Sequence, residues 1–184
     1  MTLPTMLTLL RILLLPILVV VFYGSADWAR PVCAILFGIA GFTDWLDGYL
    51  ARRLQQQSSF GAFLDPVADK LMVTTALILL VADDPQMLLT LSALVIIGRE
   101  IVISALREWM AELGKRNLVA VSWVGKLKTS LQILAILLLL YQAPLFGLPI
   151  YAMGEVALLL AAALTMYSMC LYLNAARKAG VTAE

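Results

Sequence analysis

Histidine is absent from this sequence, and cysteine occurs twice, at Cys33 and Cys170, inside apolar runs and without CxxC spacing. Without imidazole there is no Ser-His or Cys-His nucleophile, and without clustered thiols there is neither a zinc site nor a disulfide framework. The two thiols are expected simply to pack. Charge is scarce as well: 14% of residues are charged against 62% hydrophobic, and the net charge is +1. Nucleic acid as a partner therefore has no compositional support. A chain of 184 residues this apolar is expected to form one membrane domain over residues 1–184. Its start, MTLPTMLTLLRILLLPILVVVFYG, has no basic segment before the apolar run and no small-x-small cleavage site after it. It reads as a retained first helix rather than a signal peptide.

What the sequence does have is long apolar runs. Six segments approach the length of a membrane span: Met6 to Tyr23, Pro31 to Asp44 with a polar helical continuation to Arg53, Phe63 to Val81, Met87 to Met110, Leu118 to Tyr141, and Ile150 to Leu173. Short breakers separate them, so neighbouring helices are predicted to run antiparallel. Of the 13 lysines and arginines, all but Arg30 fall toward one side of such a bundle. The positive-inside rule then puts both termini in the cytoplasm. The expected fold is an all-α integral membrane protein of six transmembrane helices. Trp28, Trp45, Trp109 and Trp123 lie near the predicted boundaries, as interfacial belt residues do.

Against this apolar background, four of the 12 acids, Asp44, Asp47, Asp65 and Asp69, fall within 26 residues. Asp44, Asp47, Gly48, Ala51 and Arg52 share one helical stripe, and Gly61, Asp65 and Asp69 share another on the next helix. Folded about a turn near Gln56, the two stripes face each other. Four converging carboxylates at a membrane boundary need a cation between them. Lys70 points about 100° away from Asp69 along the helix and is a poor candidate. The hard, oxygen-seeking ions Mg²⁺ or Mn²⁺ suit the donor set, and two ions about 3.5–4 Å apart account for four ligands better than one. Gly48, Ala51 and Gly61 leave room beside the acids, and Arg52 is placed to fork onto a phosphate. Pro66 cannot donate to the carbonyl of Ala62, so the third helix is predicted to kink there or to begin just before it.

The resulting pattern, D-x2-D-G-x2-A-R-x8-G-x3-D-x3-D, resembles without gaps the signature of the CDP-alcohol phosphatidyltransferase family. The stretches LPTMLTLLR at 3 and REIVISALREWMAELGKRNLVAVSWVGKLKT at 99 are further similar to the bacterial phosphatidylglycerophosphate synthases within that family. The resemblance implies transfer of a phosphatidyl group from CDP-diacylglycerol to sn-glycerol 3-phosphate with release of CMP. It also implies two Mg²⁺ or Mn²⁺ ions, a homodimer, and a bacterial cytoplasmic membrane with the active site facing the cytoplasm. Carried over residue by residue, it makes Asp44, Asp47 and Asp65 metal ligands and puts Asp69 near the metals as the base. Gly48, Ala51, Arg52 and Gly61 would line the CDP pocket, and Ser58 matches a position that contacts the donor.

An anionic acceptor calls for cations near the acids. Arg107 and Lys126 are the first candidates for its phosphate, with Arg99 and Arg116 next; Thr5, Thr8 and Arg11, at the start of the first helix, are placed to touch the donor. Glu100 and Glu108 are rivals to Asp69 as base, but neither is phased with the carboxylate stripe. Two alternatives stay open at this level: a sister enzyme taking inositol phosphate, serine or phosphatidylglycerol, and a cation-coupled transporter.

Overall fold

A computed structural model describes residues 3–54, 59–112, 114 and 123–181. Six helices follow one another: α1 (Leu3–Phe22), α2 (Ala29–Leu54), α3 (Ser59–Asp83), α4 (Met87–Glu112), α5 (Trp123–Tyr141) and α6 (Ile150–Val181). Among the described residues there is no strand. Three helices contain segments long and apolar enough to cross a bilayer by length and composition: Thr5–Phe22, Met87–Glu112 and Ile150–Asn174. These apolar helices are those of a membrane protein. Helix α3 begins at Ser59 and runs through Pro66, so the proline sits two turns inside the helix and does not mark its start.

The interior is a lipid-like packing of Leu18, Phe37, Leu77, Ile96, Ile136, Leu139 and Leu158, drawn from all six helices. Helix α1 packs against both α2 and α3, whereas α2 and α3 touch each other only sparingly. The first helix therefore wedges into the α2/α3 hairpin, which shapes the site described below. Helices α5 and α6 approach closely at Gly154, where an added Cβ would come within 2.9 Å of Leu139 Cγ. The turn between them is tight, with Gln142, Phe146 and Gly147 at positive φ.

At the end of the bundle opposite the acids, Arg30 pairs with Asp83 and stacks 3.9 Å from the centroid of the Phe22 ring. Gln142 Nε2 also donates to Asp83 (3.1 Å), and Tyr151 Oη donates to Asp84 (2.6 Å). Arg30, the one exception to the charge bias, thus has a local acidic partner that joins α2 to α3. Cys33 is buried and Cys170 exposed, both as free thiols, so the expectation of packing holds for Cys33 alone.

Candidate active site

Arg11 is the only charged residue of α1. An arginine within an apolar helix is tolerated when it faces the protein interior and a counter-charge. The face that buries it also buries Thr5, Thr8, Leu18 and Phe22, at steps of three, three, seven and four residues along one side of the helix. That face lies against α2 and α3, where the acids are.

The side chain of Arg11 is fully buried, and its guanidinium sits among three carboxylates. Nη1 donates to Asp44 Oδ1 at 2.7 Å and to Asp69 Oδ1 at 2.6 Å, while Nη2 donates to Asp65 Oδ1 at 3.4 Å. The cation expected between the acids is thus supplied here by the protein itself, through Arg11, which sequence reasoning did not weigh for that place. Sequence reasoning weighed Lys70, which instead donates to Ser104 Oγ across to α4. It assigned Arg11 to the donor. The signal that would have found the contact is the isolation of Arg11 on an otherwise uncharged helix.

Arg11 does not exhaust the charge of the cluster. One guanidinium against three carboxylates leaves two negative charges over, and the acid side chains stay 40–50% exposed on their far side. Asp44, Asp65 and Asp69 each offer an oxygen within 4.8 Å of the others. Oxygens bound to one Mg²⁺ at about 2.1 Å lie at most about 4.2 Å apart, close to the spread of this set, and a second ion would span a wider one. The donor chemistry and spacing fit a hard divalent cation.

Asp47, Gly48, Ala51 and Arg52 stand on the α2 backbone, with their side chains outside the described residues; Ser58 lies outside them entirely. Gly61 is half-buried one turn before Asp65 on α3. Thr5 and Thr8 are each 3% exposed, on the face of α1 that turns to the acids.

Beside the cluster is a cavity of about 260 Å³, lined by Asp69, Lys70, Arg99, Arg107, Lys128 and Gln132, with Glu100 and Tyr172 completing its charged and aromatic wall. Among the described residues, Asp69 alone belongs to both the carboxylate cluster and this cavity. Arg99 is buried at 6% exposure on the inner stripe of α4, with Ile96 and Ile103. Arg107 is exposed at the rim. The ring of Tyr172, from α6, lies between them, with its centroid 6.0 Å from one guanidinium carbon and 5.9 Å from the other.

Two features of this wall were missed in the sequence. Lys128, which is not among the acceptor candidates drawn from the sequence, is 2% exposed and donates to Glu100 Oε1 at 2.9 Å. Glu100 also accepts from Arg99 Nη1 at 2.8 Å, so its carboxylate lies between two cations. It lines the cavity with Asp69, but this pairing suits it to hold Arg99 and Lys128 in place rather than to take a proton. Lys126 has its side chain outside the described residues, and Arg116 lies outside them altogether.

A family model described as CDP-alcohol phosphatidyltransferase matches residues 1–171. Relatives from Pectobacterium atrosepticum and Salmonella choleraesuis are each 52% identical over 174 residues, covering 95% of this chain and 94% of the relative. One from Shigella flexneri is 49% identical over the same length. All three bear the name CDP-diacylglycerol–glycerol-3-phosphate 3-phosphatidyltransferase. The chain belongs to the CDP-alcohol phosphatidyltransferase family.

Proposed function

We propose that the chain transfers the phosphatidyl group of CDP-diacylglycerol to sn-glycerol 3-phosphate, giving phosphatidylglycerophosphate and CMP in anionic phospholipid synthesis. The observation that carries this reading is the position of Asp69, shared by a carboxylate cluster suited to a divalent ion and a basic cavity suited to a small phosphate ester. The cavity is smaller than the about 300–1,000 Å³ of sites for drug-sized ligands. Its cations match an acceptor that is itself an anion. The names of the relatives point to the same two substrates, and neither transport nor another acceptor is favoured.

Asp44, Asp65 and Asp69, with Asp47 as the fourth carboxylate of the pattern, are the proposed ligands of two Mg²⁺ or Mn²⁺ ions. When bound, these ions supply charge neutralisation for the donor diphosphate and for the CMP leaving group. Gly48, Ala51, Arg52, Ser58 and Gly61 would form the nucleotide side of the site, with Thr5 and Thr8 contributing from α1. Arg99, Arg107 and Lys128 would hold the acceptor phosphate, with Lys126 and Arg116 as further cations from the sequence pattern.

The acceptor hydroxyl then lies beside Asp69, which takes its proton as the oxygen attacks the lipid-bearing phosphorus. A new phosphoester bond forms, the phosphoanhydride bond breaks, and CMP leaves with the bonding electrons. Six spans, both termini in the cytoplasm, a homodimer and residence in the bacterial cytoplasmic membrane complete the reading; the lysine and arginine bias and the bacterial relatives support the topology and location. The active site would then face the cytoplasm, where both the acceptor and CMP are soluble.

The test is an acceptor panel. Purified protein with CDP-diacylglycerol and Mg²⁺ receives in turn glycerol 3-phosphate, inositol phosphate, serine and phosphatidylglycerol, with CMP as the readout. Release is expected with glycerol 3-phosphate; release with another alcohol and none with glycerol 3-phosphate would replace this reading.

A further inference from the structure

The contacts of Arg11 reach beyond the roles assigned so far. Its guanidinium hydrogen-bonds one oxygen of each of Asp44, Asp65 and Asp69, the three acids whose oxygens lie close enough together to hold an ion. A divalent ion needs to come within about 2.0–2.1 Å of those carboxylates. A guanidinium nitrogen 2.6–2.7 Å from two of them occupies much of that space. It also repels the incoming charge across a partly dry site. The buried Arg11 stem holds the guanidinium next to the acids, while the outer side of the acids stays open.

We propose that Arg11 and the divalent ions compete for the same carboxylates, so that ion entry turns the guanidinium away from Asp44 and Asp69 and toward the donor diphosphate. Arg11 is thus a positioning residue that couples ion binding to donor binding. The diphosphate supplies the anion that Arg11 gives up, and the carboxylates freed by Arg11 take the ions. Each ligand lowers the cost of binding the other. The inference rests on the reading of the aspartates as ion ligands.

The experiment is Mn²⁺ binding to the purified full-length protein in detergent, with neither nucleotide nor acceptor, followed by the paramagnetic resonance signal of free Mn²⁺. Arg11→Gln removes the competing charge and keeps a polar side chain; it is expected to bind Mn²⁺ at least roughly tenfold more tightly than the unaltered protein. Arg11→Lys keeps a cation with a less extensive hydrogen-bonding head and is expected to tighten binding by about threefold. It decides the matter alone if the glutamine variant does not fold. Melting temperatures add a second readout, with Arg11→Gln melting lower than the unaltered protein after chelation and gaining more from saturating Mn²⁺.

A merely structural arginine would lower stability without tightening the ion. Mn²⁺ affinity unchanged or weakened in the Arg11 variants, while the unaltered protein binds Mn²⁺ and Asp65→Asn does not, overturns the competition and leaves the ion site standing. Absence of Asp65-dependent Mn²⁺ binding in the unaltered protein overturns both.

Discussion

Asp69→Asn is expected to lower the rate of CMP release by about 10²–10⁴-fold, the range for loss of a general base, while leaving CDP-diacylglycerol binding largely intact. Asparagine keeps the shape of the side chain and an oxygen to accept from Arg11 Nη1, now 2.6 Å from Asp69 Oδ1. What it loses is the ability to take a proton. The position is sensitive because Asp69 stands at the junction of the carboxylate cluster and the cavity. No histidine exists in the chain to substitute for it, and Glu100 is already engaged with Arg99 and Lys128. Asp65→Asn is the informative contrast: Asp65 shares the cluster but does not line the cavity, so its loss should fall chiefly on donor binding. Release of labelled CMP together with donor binding in detergent separates the two effects. Full activity of Asp69→Asn would remove it as the base.

The second large effect concerns the acceptor. Lys128→Met preserves much of the buried volume of a side chain that is 2% exposed but removes its charge. Hydrogen bonds to charged groups contribute about 1.5–3 kcal/mol, so the KM for glycerol 3-phosphate is expected to rise about 10- to 100-fold. The KM for CDP-diacylglycerol should change by no more than about twofold, because Lys128 is outside the carboxylate cluster. Arg107→Ala, at the rim of the same cavity, should shift the same constant in the same direction. Its effect should be smaller, because an exposed cation is better screened than a buried one. Steady-state kinetics with each substrate varied in turn checks both. An unchanged acceptor KM would move the phosphate site elsewhere.

The periodicities that carried the sequence reading were local ones. Six apolar runs gave six helices, with boundary differences such as α3 beginning at Ser59, because run length and breakers act within one segment. The convergence of Asp44 with Asp65 and Asp69 was also readable, since two helical stripes joined by a short turn must face each other. The isolation of Arg11 on an otherwise uncharged helix marked it for a buried counter-charge, but not which acids it would meet. That depends on α1 wedging between α2 and α3, a packing choice among non-adjacent helices that no spacing within the chain encodes.

Lys128 illustrates the same limit on the acceptor side. It stands near a helix start in the sequence, where a lysine has no reason to be buried, but α5 packs against α2, α3 and α6, and the side chain is buried against Glu100 of α4. Glu100 was set aside because it is out of phase with the aspartate stripe. Phase along one helix does not report what a different helix brings to it. Tyr172, 65 residues beyond Arg107, entered the cavity only through the α4/α6 contact.

The claim on which the account turns is that these aspartates hold divalent ions against a diphosphate. Crystals of the protein grown with Mn²⁺ and CDP would test it most directly, through the anomalous signal of manganese. The account predicts manganese peaks bounded by the carboxylates of Asp44, Asp65 and Asp69 and touching the nucleotide phosphates. Nucleotide bound with no manganese among those carboxylates, or manganese held elsewhere in the chain, would contradict it.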